Sequence, residues 1–343
     1  MKTSVDAVSG VERKITVEIP AEEVDRRIEQ EFTELRRMVP VRGFRKGKAP
    51  MEMVKRMFRD SVEAEVSEHL VKESLTEVVK EKDLKVLSLP GVEGAKVVPG
   101  KDFVFSATVE VVPEVEPVGY KGIPVMREKV SVTDEDVSAA VERLRESFAQ
   151  FHPVEGRGAA ESDLVEFAKQ FGDVSGVDEL KVKVRERLVA EGEEHSRHQA
   201  EEALRKALAE RNPFDVPATL VKRQTIAMMQ DTFQRLASQG VDLKKMNMDV
   251  DKMSERFAPN AERMVRVSLL IDAIARKENI DASYSEIDAE MKAMAEAQGM
   301  EYEKVREMYS SEERMDALRD RLLERKVLGF LMENAEVTEG APE

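Results

Sequence analysis

A chain of 343 residues with a formal net charge of −15, 36% charged residues and only 5% aromatics is long enough for two or three domains, but has little aromatic mass for a large core. Without Cys it has no disulfide framework, thiolate metal site or cysteine nucleophile, and no run approaches the roughly eighteen apolar residues that would span a membrane. The first residues lack an apolar secretory core, so a cytoplasmic protein is expected.

In chain order, Val11–Ile19 (VERKITVEI) alternates apolar and polar residues apart from Arg13, which predicts a half-buried strand. Two helices are expected next, over about 21–38 and 50–82, joined by VPVRGFRKGKAP (39–50). Pro40 and Pro50 discourage helix on the residue before each, and Gly43 and Gly47 permit tight turning, so Phe44 is expected at the tip of an exposed loop. From Arg36 to Arg59 there are nine Lys/Arg and one acid, Glu52. That window carries +8, and −15 less +8 leaves −23 for the remainder. A basic patch on an acidic molecule can attach locally to a polyanion while the rest is repelled from it.

Phe103–Val111 (FVFSATVEV) alternates again and predicts a second strand. Residues 113–125, rich in Pro and Gly, read as an extended linker. A helix follows over 133–150, with Thr133 as its N-cap and Asp134, Glu135 and Asp136 in the first turn, where the macrodipole favours acids. From about residue 177 the chain is almost all helix. The middle of the segment 179–211, EGEEHSRHQ (191–199), has no large apolar residue, so it is expected to bridge or to project into solvent. NPFDVP (212–217) breaks that helix. The next carries Val221, Thr225, Met228, Met229, Phe233 and Leu236 on one stripe, and further amphipathic helices follow without a sustained heptad.

The loop does not fit a nucleotide phosphate. A Walker loop needs four residues between its glycines and then Lys-Ser/Thr, whereas Gly43 and Gly47 enclose three and Ala49 stands where the hydroxyl belongs. His195 and His198 have one possible metal spacing, but no third ligand suggests itself and a solvated helix face explains them. No nucleophile elbow and no isolated carboxylate pair is present, so nothing points to an enzyme, a cofactor or a metal. Twelve of the eighteen Met follow residue 227. Met is flexible and polarizable, so these side chains either fill gaps between packed helices or offer an adaptable apolar surface.

GFRKGKAP (43–50) closely resembles the G-F-R-x-G-x-x-P signature of trigger factors, bacterial chaperones of the ribosomal exit tunnel. VSGVERKITVEIPAEEVD (8–25), VTDEDVSAAVERLRESFAQF (132–151), NPFDVPATLVKRQ (212–224) and LLIDAIARKENI with YSEIDAEM (269–291) also resemble that family, in its order. The resemblance implies an α+β N-terminal ribosome-binding domain (1–112), an extended linker with a helix (113–165), and an elongated all-α client-binding domain with projecting arms (166–343), mostly helical overall. Its FKBP-like prolyl isomerase domain is expected to be missing at about Val165–Glu166, and with it the isomerase activity.

The implied ribosome contacts are Gly43, Phe44, Arg45, Lys46, Gly47, Lys48 and Pro50, supported by Arg42, Lys55, Arg56 and Arg59. The implied partners are a ribosomal protein and rRNA at the exit tunnel and nascent or unfolded polypeptides, with a homodimer away from the ribosome and no membrane. Met228, Met229, Phe233, Met246, Met248 and Phe257 are candidate client contacts. Two other readings stay open: an RNA-binding regulator using the basic 36–59 window, and a SurA-like chaperone acting away from the ribosome.

Overall fold

The computed structural model describes residues 1–41, 44–151, 177–240 and 249–340. Their order is β1 (Lys2–Ala7), β2 (Glu12–Ile19), α1 (Ala21–Met38), α2 (Met51–Glu81), β3 (Val86–Glu93), β4 (Phe103–Val111), β5 (Pro124–Glu128), α3 (Asp134–Phe151), α4 (Val177–Arg211), α5 (Ala218–Ser238), α6 (Val250–Glu278), α7 (Tyr284–Gln298), α8 (Tyr302–Met308), α9 (Glu312–Glu333) and β6 (Glu336–Gly340). Two compact units result, each discontinuous in sequence. The first combines Met1–Glu116 with Pro213–Ala273, and the second combines Pro117–Asn212 with Ile274–Glu343.

In the first unit, alternation does what it predicts. β2 and β4 pair antiparallel in a sheet of order β1-β2-β4-β3, with Ile15 opposite Ala107, Val17 opposite Phe105 and Ile19 opposite Phe103. Their inward side chains are at most 4% exposed, and Val24, Ile28 and Phe32 of α1 and Val54, Val62 and Val66 of α2 complete the core. Each such side chain contributes about 1.5–3 kcal/mol on leaving water, which makes the pairing of this helical hairpin with the sheet the main source of local stability. The buried Ser67 hydroxyl accepts from the Val97 N–H at 2.9 Å and donates to the Glu63 carbonyl at 2.8 Å, tying the β3–β4 connection to α2. At the start of α5, the Thr219 N–H donates to Glu110 at 3.0 Å and its hydroxyl meets Ser88 at 3.1 Å.

The second unit contains a feature that short-range pattern did not reveal. β5 and β6, more than two hundred residues apart in the chain, pair in parallel with Val125 opposite Val337. Across β5 lies α4, and its contact corrects the expectation for 191–199. That polar-looking stretch does not simply project into solvent. Gly192, Ser196 and Ala200 recur every four residues and form a narrow packing stripe; Ser196 is 1% exposed and Ala200 fully buried. A Cβ on Gly192 would stand 2.7 Å from a Val130 methyl, and the Ser196 hydroxyl donates to the Glu128 carbonyl at 2.7 Å. Small residues bring the strand backbone close where large ones would hold it away. Further along the same face, Leu204 and Leu208 are fully buried.

Polar latches fix the segment leading into β5. Asn212 accepts from the Val118 N–H at 2.8 Å and donates to the Val118 carbonyl at 3.1 Å. Tyr120 donates to Glu278 at 2.6 Å, and Lys121 pairs with the same carboxylate at 2.8 Å, holding it below the usual carboxylate range. Thr133 caps α3 as expected, its hydroxyl accepting from the Asp136 N–H at 3.2 Å while the Asp136 carboxylate accepts from the Thr133 N–H at 2.9 Å. α7, α8 and α9 share a smaller core of Ile287, Met291, Val305, Leu318 and Leu322.

Candidate functional site

The loop between α1 and α2 is anchored at both ends by side chains that enter the core. Val41 is 6% exposed and Ala49 2%, so Phe44–Lys48 are carried between two fixed posts. The Phe44 N–H donates to the Val41 carbonyl at 3.0 Å, and the Lys48 N–H donates to the Arg45 carbonyl at 2.9 Å. In the second of these turns Gly47 has φ +80° at the third of four residues, the mark of a type II turn, which calls for Gly there. Pro50 then stands at the N-cap of α2 with φ −59°, ready for the helix.

This geometry displays a mixed apolar and cationic tip. Phe44 is 40% exposed, although a Phe ordinarily seeks the core. Arg45, Lys46 and Lys48 are exposed, and none has an ion-pair partner among the described residues. The supporting basic residues divide. Arg56 is exposed and likewise unpaired among the described residues. Lys55 pairs with Glu29 and lies 5.8 Å from the centre of the Phe32 ring, and Arg59 bonds Glu63 at 2.8 Å. Lys55 and Arg59 are thus partly committed within the molecule, whereas the cations of the tip are not. Gly43 and Arg42 lie outside the described residues.

Three exposed side chains near the loop escaped the sequence reading: Met38 at the end of α1, and Met53 and Met57 at the start of α2. Their spacing held the signal. Val54, Phe58 and Val62 take the core face of α2, so Met53 and Met57, four apart, share a face turned away from it.

The candidate client residues are placed less uniformly. Met229 is 6% exposed and packs inside, whereas Met228, Phe233 and Phe257 are half-buried. Met246 and Met248 lie outside the described residues. The large apolar side chains most open to solvent on α5 and α6 are Ile226, Val250 and Met264, and Gln224 reaches the Met264 sulfur at 3.7 Å. Among the described residues no group of three His, Cys, Asp or Glu is placed to hold a metal ion, and no helix is long and apolar enough to cross a membrane. His195 is occupied by a 2.9 Å contact with the Gln199 amide.

Two family models match the chain: "Bacterial trigger factor protein (TF)" over residues 1–144 and "Bacterial trigger factor protein (TF) C-terminus" over 176–333. Trigger factors of Citrifermentans bemidjiense and of Geobacter sp. strain M21 are 30% and 31% identical, each alignment covering 99% of this chain and 98% of the relative. A solved structure from work on promiscuous substrate recognition by the trigger factor chaperone superposes with a TM-score of 0.60 at 17% identity, over 97% of this chain and 99% of that one. The alignment with the first relative runs over 430 positions against 343 residues here, so at least 87 positions (430 less 343) face no residue of this chain. The two matched regions leave only residues 145–175 between them, too few for a folded domain of about 50 residues or more. The isomerase domain is absent.

Proposed function

The chain belongs to the trigger factor family of chaperones, and on that premise we propose that it docks at the ribosomal exit tunnel and shields emerging polypeptides without ATP. The observation that carries the reading is the loop: an exposed Phe44 beside unpaired Arg45 and Lys46, on a turn whose two ends are sunk in the core. Phe44 supplies the apolar anchor, Arg45 and Lys46 face rRNA phosphates or acidic groups of a ribosomal protein, and Lys48 and Arg56 add salt-sensitive support. Because the posts at Val41 and Ala49 limit where the tip can go, little ordering entropy is lost on docking.

Shielding falls to the helical residues. Half-buried Met228, Phe233 and Phe257, with open Ile226 and Met264, provide small apolar contacts on which unbranched Met can adapt to unlike sequences. Patches of a few hundred Å² at roughly 25 cal/mol per Å², less the costs of association, give modest affinity that reverses without a nucleotide cycle. In this form the protein is a binder and not an enzyme, and it works in the bacterial cytoplasm. We place the junction left by the missing domain at about 165/166, which lies outside the described residues.

A photo-crosslinking residue at position 44, with translating ribosomes, tests the proposal. Crosslinks to a ribosomal protein beside the tunnel exit are expected. Crosslinks confined to free RNA, or none at all, would overturn it.

A further inference from the structure

The second unit carries a pocket of about 600 Å³ that neither ribosome docking nor the apolar client surface uses. Its walls are α4 and α9, and its rim includes β5. Five of the lining residues are arginines: Arg127 from β5, Arg197 and Arg205 from α4, and Arg321 and Arg325 from α9. The acids among them are Glu201 and Glu324. The five arginines outnumber these two acids by three, and Glu290, which pairs with Arg325, offsets only one of those charges, so the hollow stays positive on a molecule of net charge −15.

The guanidinium groups are not equally engaged. Glu290 holds Arg325 through two parallel bonds of 3.0 and 2.7 Å. Arg205 is 3.4 Å from Glu324, and Arg197 reaches Glu201 only at 3.9 Å. Arg127 and Arg321 are exposed and make no hydrogen bond or ion pair among the described residues. The helix faces explain the convergence. Arg321, Arg325, Leu328 and Met332 recur at helical spacing along one side of α9, and Arg197, Glu201 and Arg205 do so along α4.

Two further features choose among anions. The floor is apolar, made by Leu328 and Met332, and opened by Gly329 inside α9, where a Cβ would meet nothing within 4 Å. A bare phosphate chain gains nothing from such a floor. Glu201 and Glu324 can accept N–H bonds from a peptide backbone, which a polyphosphate lacks. Arg forks match carboxylates in bidentate geometry.

We propose that this pocket binds segments of unfolded polypeptide in which Asp or Glu alternate with apolar residues, the acids pairing with Arg127, Arg321 and Arg197 and the apolar side chains resting on Leu328 and Met332. It gives a chaperone a second recognition mode for acidic segments that a purely apolar surface would hold weakly.

The test is fluorescence anisotropy with the full chain and a labelled peptide of about ten residues alternating Glu with Leu. Matched peptides carry Gln or Lys in place of Glu, and tripolyphosphate serves as competitor. The Glu peptide is expected to bind at least about tenfold more tightly than the Gln peptide, with the Lys peptide not bound. Arg127→Glu with Arg321→Glu lowers affinity by at least about tenfold, and Arg127→Gln with Arg321→Gln by less. Both positions are exposed and unpaired, so circular dichroism of either double variant should match the parent. Equal binding of Glu and Gln peptides, or unchanged affinity in a folded double variant, would overturn the proposal. So would displacement by tripolyphosphate at concentrations below the peptide's own Kd, which would mark a simple anion site. The assay contains no ribosome, so its outcome is independent of the docking reading.

Discussion

Gly47 offers the sharpest perturbation of the loop, because its side of the tip is open. A Cβ there meets nothing within 4 Å, so a substitution costs no packing, and the whole effect comes from the backbone at φ +80°. An L-residue in the left-handed region costs about 1–2 kcal/mol, more when β-branched, whereas Asn tolerates it. In Gly47→Val the turn that closes Arg45 on Lys48 is strained, and the displayed arrangement of Phe44, Arg45 and Lys46 loses population by about 5–30-fold. Ribosome affinity measured by fluorescence titration should fall by that factor, and Gly47→Asn should stay within about threefold of the parent. Because Val41 and Ala49 keep the posts in the core, the melting temperature should barely move. If Gly47→Val binds ribosomes like the parent while retaining its fold, the preset turn is not what the ribosome recognises.

Three other predictions concern the body of the molecule. Gly192→Leu forces a side chain into the space taken by Val130 and should destabilise the second unit by about 1–3 kcal/mol in urea unfolding; no change would mean that α4 and the segment after β5 do not pack closely. Glu286 accepts from Lys326 at 2.6 Å and from the Ser283 N–H and hydroxyl, which holds its pKa at about 2. A folded pKa below the unfolded 4.5 adds stability that is complete above the unfolded value and is lost as pH falls towards 2. The melting-temperature gap between parent and Glu286→Gln should therefore be present at about pH 5.5 and close by about pH 2, and a pH-independent gap would contradict it. With the isomerase domain absent, a prolyl-peptide assay should show the uncatalysed rate at any protein concentration, and acceleration would reveal an unforeseen site.

What the sequence disclosed, and what it hid, follows from the range of the interactions. β2 and β4 were legible because each buries one face, so Ile15, Val17, Phe103 and Phe105 wrote the period-two pattern directly. The helical hairpin and its loop were legible because Pro40, Gly47 and Pro50 act locally. β1 offered little pattern, being an edge strand (KTSVDA) with mostly exposed residues. β3 contains Pro90 and Gly91 and shifts register against β4, so its alternation is broken. β5 and β6 pair across most of the chain, and neither five-residue strand announces a partner. The middle of α4 was misread because hydrophobicity measures large side chains, while Gly192, Ser196 and Ala200 pack by being small. Among the Met, periodicity located the stripes, but it could not separate buried Met229 from half-buried Met228 next to it.

On the proposed function, the loop tip tethers the molecule to the ribosome. Co-sedimentation with vacant and translating ribosomes, comparing the parent with the Phe44→Ala, Arg45→Ala, Lys46→Ala triple variant, addresses it most directly, with circular dichroism to establish that the variant is folded. The parent is expected to pellet with both and the triple variant to stay in solution, with parent binding weakening steeply as salt rises. Equal pelleting of the two proteins, or failure of the parent to pellet, would contradict it.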